Sequence, residues 1–338
     1  MIDCASPETA SGVLLNRSAR LGRRVLGPLL KTAVAAGLIY WLVQSKRLDV
    51  GAFLRIQITP AVVALIIAAV IGVFLGQLLL ALRLRLLLKT ANVDTTYSRV
   101  LGVTLIGSFF SAVLPGLVGG DVVRAVYLCS DAVGKRMSTV ATVLVDRALG
   151  FYSLFLLGTI AWTVACCMGA VSLQNPTLWT APAAALLMTV GLGLIGVRGY
   201  DRWAFMQAAW KRVPPNVQNL LRTLHECLSR PQLLLATIAV SLINHSLVIV
   251  TYLAAAIILG DTLPWSLHFV LSPLATVLNM VALTPGGIGL TEGAFSLLYA
   301  GAGSPYGASV GLIGRIIQYL SFALTGSIAL LRIRLRPL

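Results

Sequence analysis

Long apolar runs alternate along this chain with short polar stretches rich in lysine and arginine. A helix needs about 20 mostly apolar residues to cross a bilayer core of roughly 30 Å. Six runs meet that length, at 26–44, 60–88, 138–168, 180–198, 233–259 and 308–331, and each predicts a membrane-spanning helix. Two more apolar regions, 100–130 and 265–300, are interrupted near their centres by "LPGLVGGD" and "TPGGIGLTE". Proline ends or kinks a helix, so each region predicts a pair of short helices, which either cross and return or dip in and leave on one side. The segment 199–232 is polar, and its Pro214-Pro215 pair separates two short amphipathic pieces. A separate catalytic domain of ordinary size has nowhere to sit.

The basic positions orient these elements, because short cytoplasmic loops carry an excess of Lys and Arg. With a cytoplasmic N-terminus, the first two spans return the chain inside at Arg83, Arg85 and Lys89. The region 100–130 follows Arg99 and precedes Lys135 and Arg136, so it enters and leaves from the cytoplasm. The next two spans are joined by the uncharged "GAVSLQNPTLW" and lead to a loop holding Arg198, Arg202, Lys211, Arg212, Arg222 and Arg230. The region 265–300 lies between "LGDTLPW" and "GAGSPYG", which have no Lys or Arg, so it enters and leaves from outside. The last span brings Arg332, Arg334 and Arg336 back to the cytoplasm. Of 26 basic residues, Lys46, Arg47 and Arg55 fall outside, Arg124, Arg147 and Arg315 fall at membrane depth, and the remainder are cytoplasmic.

Composition agrees with a polytopic membrane protein: 11% of the 338 residues are charged, against roughly 25% in an average soluble domain. The net charge of +15 does not point to nucleic acid, since it is concentrated in the short loops flanking apolar runs. The five cysteines lack metal-ligand spacing and read as structural. His225 and His268 have no partners spaced for metal binding or nucleophilic catalysis, while His245, inside a span, is expected to hydrogen-bond between helices. Arg17, Arg20, Arg23 and Arg24 precede the first apolar run with no clear small-residue cleavage site after it, as in a retained signal anchor.

The two broken regions match each other. "PGLVGGDVVRAVYL" and "PGGIGLTEGAFSLL" each open on Pro-Gly (Pro115-Gly116, Pro285-Gly286) and add further glycines (Gly119 and Gly120, Gly287 and Gly289). A carboxylate follows, Asp121 or Glu292, and then an apolar helical run. Glycine and proline are common in membrane helices for packing reasons alone. Two matched copies on opposite sides of the membrane are instead the pattern of an inverted repeat, whose broken helices meet near the midplane and form a binding site.

Six ionisable residues fall at membrane depth: Asp121, Asp146 and Glu292, with Arg124, Arg147 and Arg315. Each costs roughly 2.5–3.5 kcal/mol at a helix centre, so they must pair or face water. Asp121 and Arg124, three apart, share a helix face, and Arg147 must point away from Asp146. Asp121 also suits a helix N-terminus, and Arg124 and Arg147 are also placed to snorkel to the interface. Glu292 is expected to face Asp121 and Arg124 across the bilayer centre, with Arg147 and Arg315 close by. Backbone N–H groups at broken-helix starts, together with arginines, form a receptor for phosphate or carboxylate. The acids then balance the arginines, receive a cationic head group or carry a coupling proton.

"PGLVGGDVVRAVYL", "VLVDRALGF", "LTPGGIGLTEGAFSLLYAGAG" and "GLIGRIIQYL" together resemble the transmembrane, flippase-like domain of the lysylphosphatidylglycerol synthase family, over about residues 25–332. The resemblance implies a helical bundle with two re-entrant hairpins that moves a polar lipid between leaflets. It also implies Asp121, Arg124, Asp146, Arg147, Glu292 and Arg315 as site residues. The soluble aminoacyl-transferring domain of the synthases is missing from the sequence, so a stand-alone member that does not aminoacylate lipid is expected.

The expected fold is therefore all-α, a polytopic membrane bundle of about six full spans and two re-entrant hairpins related as an inverted repeat. A basic segment, 1–25, precedes one transmembrane domain, 26–332, and a tail, 333–338, with both termini cytoplasmic in a bacterial inner membrane. The expected function is movement of a lipid or glycolipid with an anionic head group, with no catalysis, cofactor or metal. The alternatives are a transporter of a small water-soluble anion and an accessory subunit of a lipid-modifying or glycosyltransferase system. Expected partners are membrane lipids, with a second copy of the chain and a lipid-biosynthesis enzyme left open, and no nucleic acid.

Overall fold

The computed structural model describes residues 36–45, 48, 51, 55–113, 119–132, 134–169, 176–196, 214–281 and 287–332, and these are helical or connecting, with no strand among them. In chain order they form α1 (36–44), α2 (Pro60–Thr90), α3 (Tyr97–Val113), α4 (Gly119–Asp131), α5 (Arg136–Cys167), α6 (Thr180–Gly196), α7 (Pro215–Leu228), α8 (Pro231–Leu259), α9 (Trp265–Val281), α10 (Leu290–Gly301) and α11 (Gly307–Arg332). Helices α2, α5, α8 and α11 are long and apolar enough to cross a membrane. The expected span at 180–198 is the shorter α6, of 17 residues, and the one at 26–44 is described only as α1.

Local sequence sets these boundaries. Both α2 and α8 start with proline in the first turn, where a missing N–H costs nothing. Thr59 Oγ1 accepts from Val62 N at 3.3 Å to cap α2. Gly260, at φ 74°, ends α8 in a left-handed cap.

The two glycine-proline regions form two pairs of short helices. In the first pair, Gly120 packs on Gly107 and Ser111, Arg124 reaches Ser108, and Asp131 pairs with Arg99. Residue numbers rise on α4 as they fall on α3, so the pair is an antiparallel hairpin. In the second pair, Tyr299 near the end of α10 meets His268 near the start of α9, with Tyr299 Oη 2.8 Å from His268 Nδ1. That pair is antiparallel too.

The hairpins open at opposite ends of the bundle. Helices α2 and α8 lie antiparallel, with Gly72 against Leu247, Gly76 against Asn244 and Arg83 bonded to Ser241. The first hairpin begins just after α2 ends, and the second just after α8 ends. Packing also repeats. Helix α3 lies on α11 and α4 on α5, while α9 lies on α5 and α10 on α11. Exchanging α2–α5 with α8–α11 maps these contacts onto one another, with α2 against α8 at the centre. A buried cluster built around Tyr252, Phe295 and Tyr299 fixes the second hairpin.

Candidate functional site

Asp146 and Arg147 are neighbours on α5, and successive helical side chains diverge, so they serve different partners. Asp146 is 5% exposed and holds a fork of two bonds from Arg83 of α2, Nε to Oδ1 at 2.7 Å and Nη2 to Oδ2 at 2.8 Å. The remaining nitrogen, Nη1, donates to Ser241 Oγ of α8 at 2.9 Å. One guanidinium therefore ties three long helices together. Gly150 leaves room for it, since a Cβ there would sit 3.2 Å from Nη1. The Gly150 carbonyl accepts from His245 Nε2 at 3.1 Å, the interhelical bond expected of that histidine.

Arg83 is the site residue that the basic-loop count misplaces. Its position beside Arg85 and Lys89 suggests a cytoplasmic flank, but α2 runs on to Thr90 and Arg83 is only 4% exposed. Asp146 and Ser241 supply the partners that make its burial tolerable. Asp146 lies about 15 Å from the start of α5 at 1.5 Å per residue, near half the thickness of a bilayer core.

Asp121 sits in the first turn of α4. Arg124 Nη1 donates to its Oδ1 at 3.1 Å, and Arg124 Nη2 donates to Ser108 Oγ of α3 at 3.2 Å. Arg147 pairs with the other Asp121 oxygen from α5. The close fit of the hairpin depends on glycine: a Cβ on Gly107 would fall 2.6 Å from Arg124 Nε, and one on Gly120 would overlap Ser111 and the Gly107 carbonyl. Arg124 Nε is buried without an acceptor among the described residues. Asp146 and Arg83 are electrostatic neighbours of Arg124, so the two ion-pair groups form one cluster. Among the described residues, three arginines of this cluster, at 83, 124 and 147, stand against two carboxylates, at 121 and 146, leaving one positive charge in excess. The cluster is open on one side, with the Asp121 side chain 18% exposed and that of Arg147 27% exposed.

Glu292 occupies the matching place in the second hairpin, the third residue of α10. Its Oε2 accepts from Gly289 N at 2.6 Å, and its Oε1 lies 2.8 Å from Arg315 Nε of α11. Gly287 and Gly289, at φ 72° and 87°, turn the backbone into this helix start in a conformation that other residues resist. Glu292 is fully buried and Arg315 is 3% exposed, with its guanidinium 5.8 Å from the Tyr319 ring centre. This pair is sealed where the first is open.

Each of these carboxylates pairs with arginine within its own half of the chain: Asp121 with Arg124, as their spacing predicts, and with Arg147, Asp146 with Arg83, and Glu292 with Arg315. Gly119 starts α4, whereas Pro115, Gly116, Pro285 and Gly286 lie outside the described residues. Among the described residues no group of His, Cys, Asp and Glu is arranged to hold a metal. The sequence profile of the lysylphosphatidylglycerol synthase TM region matches residues 29–326. A UPF0104 membrane protein of Pyrococcus horikoshii is similar, 22% identical over 291 residues that cover 80% of this chain and 87% of that protein.

Proposed function

Since the chain belongs to the lysylphosphatidylglycerol synthase TM region family, we propose that it moves a lipid with an anionic head group between the leaflets of a bacterial inner membrane. The observation that carries this reading is the open Asp121–Arg124–Arg147 cluster with its unbalanced positive charge. A phosphate can exchange for Asp121 on Arg147 and Arg124, because guanidinium groups bind both anions with the same fork of donors. Tails stay in the bilayer beside the exposed Val122 and Val126 of α4 and Val140 and Leu144 of α5. The head group then crosses without facing hydrocarbon alone, which is the main barrier to spontaneous movement. The sealed Glu292–Arg315 pair holds the second hairpin in place while the first exchanges partners.

In this reading the hairpins are re-entrant halves of an inverted repeat, both termini are cytoplasmic, and the chain carries out no covalent chemistry. The test is reconstitution into vesicles with fluorescent phosphatidylglycerol, followed by quenching from one side. The protein should expose the inner-leaflet pool. Arg147→Gln or Asp121→Asn should slow this roughly tenfold or more, the scale of one lost charge-assisted bond. No exposure by the native protein, or equal rates in all three, would overturn the reading, as would a change in the mass of the lipid. Uptake of inorganic phosphate without lipid movement would favour transport of a water-soluble anion.

A further inference from the structure

A basic cavity of about 670 Å³ lies at the bundle end where the first hairpin opens, between the turn after α2, the start of α5 and the amphipathic α7. Its wall includes Lys135, Arg136 and Arg222, with Glu226, Asn92 and Ser138. Among the described residues of this wall, three cations stand with one carboxylate. Arg136 and Arg222 are exposed and form no ion pair among the described residues. Lys135 donates through Nζ to the Asn92 carbonyl, which fixes its ammonium group against the wall.

This is a held surface rather than a loose basic loop. Leu220, Leu224 and Leu228 of α7 pack on Leu87, Val145 and Leu149, so the apolar face of that helix is committed to the bundle. Arg222 and Glu226, four apart, share the other face and line the cavity. Arg136 also has a geometric relation to the ion-pair site. It lies 11 residues before Arg147 on α5, which is three turns and about 16 Å along nearly the same face. Between them Val140 and Leu144 are 36% and 48% exposed, an apolar lane with an arginine at each end.

We propose that this cavity is a phosphate-binding site, in which Arg136 and Arg222 grip a phosphate group and Lys135 adds charge. Its geometry suits a phospholipid held at the membrane surface, head group in the cavity and tails along Val140 and Leu144. Glu226 limits the affinity and so keeps the ligand exchangeable. The site stands on its own residues and does not require that the chain move lipid.

The experiment uses the full chain in phosphatidylcholine nanodiscs, titrated with dioctanoyl phosphatidic acid and, separately, with glycerol 1-phosphate. Arg136→Gln and Arg222→Gln should each weaken binding roughly fivefold, the usual scale for one basic residue near a membrane surface. Glu226→Gln should tighten it, a gain that damage to the fold would not produce. Arg230→Gln, an exposed arginine outside the cavity wall, should leave binding unchanged. Tighter binding of the lipid identifies a membrane ligand, and equal binding of glycerol phosphate identifies a soluble one; both support the site. Equal affinities for the native chain and both arginine variants, or weaker binding by Glu226→Gln, would overturn it. Arg147→Gln should keep the cavity's binding while losing transport, which separates this site from the buried cluster.

Discussion

Arg83 and Glu292 show how a single charge is kept inside this bundle. Removing one partner of a buried pair leaves the other uncompensated, at about 3–5 kcal/mol. Arg83→Gln should therefore lower the thermal unfolding midpoint in detergent sharply, and Arg83→Met with Asp146→Leu should recover much of the loss. An unchanged midpoint for Arg83→Gln would mean that the fork contributes no net stability. A second contrast follows from exposure. Glu292→Gln disturbs a carboxylate that is fully buried and also bonds the start of its helix, whereas Asp121→Asn alters a side chain that is 18% exposed. The first should mainly cost stability and the second mainly transport. Similar unfolding midpoints for the two variants would count against this division. Six of the charges in these ion-pair groups, at 121, 124, 146, 147, 292 and 315, were legible as isolated acids and arginines in apolar runs. Arg83 was not, because "LRLRLLLK" reads as a basic flank, and only the third dimension separates the buried Arg83 from Arg85 two residues on.

At the scale of elements, glycine decides how closely the first hairpin can close. Helices in a membrane gain little from apolar burial against one another, so close backbone approach carries much of their packing. Gly120→Ala should place a methyl group into Ser111 and the Gly107 backbone, prising α4 from α3 and shifting Asp121 from Arg147. A loss of about 1–3 kcal/mol is expected from such overpacking. Gly293→Ala is the control, because a Cβ there meets nothing within 4 Å and alanine is the better helix former. Its unfolding midpoint should stay level or rise slightly. If both variants unfold alike, the fit at Gly120 is not limiting. The breaks in both regions could be read from proline and glycine alone, and the structure puts the short helices within a few residues of where those breaks predict. The pattern placed Asp121 and Arg124 on one face, and left open which further arginine each carboxylate takes. Asp121 meets Arg147 and Glu292 meets Arg315 because each hairpin's second limb packs on the long helix that follows it.

For the whole molecule, the exchange relation between α2–α5 and α8–α11 has a consequence for topology. If α2 and α8 are antiparallel and each hairpin opens where its preceding long helix ends, then the two open ends must face opposite sides of any membrane the long helices cross. Lys135 and Ser229 mark the basic end, and Thr262 and Pro305 the other; all four are exposed. With the native cysteines replaced, cysteine at 135 or 229 should react with an impermeant maleimide only in inside-out vesicles, and cysteine at 262 or 305 only in right-side-out ones. Labelling of all four from one side would break the inverted relation. Sidedness also bears on the asymmetry between the two ion-pair sites. An exact inverted repeat would offer the same exchangeable cluster to both leaflets, but here a carboxylate shared by two arginines, Asp121 between Arg124 and Arg147, and the partial exposure of Asp121 and Arg147 belong to the first half only. The half that opens at the basic end should therefore dominate head-group capture. In the vesicle assay, Arg147→Gln should reduce the rate far more than a stability-matched Arg315 variant, and equal losses would instead assign the two halves equal shares.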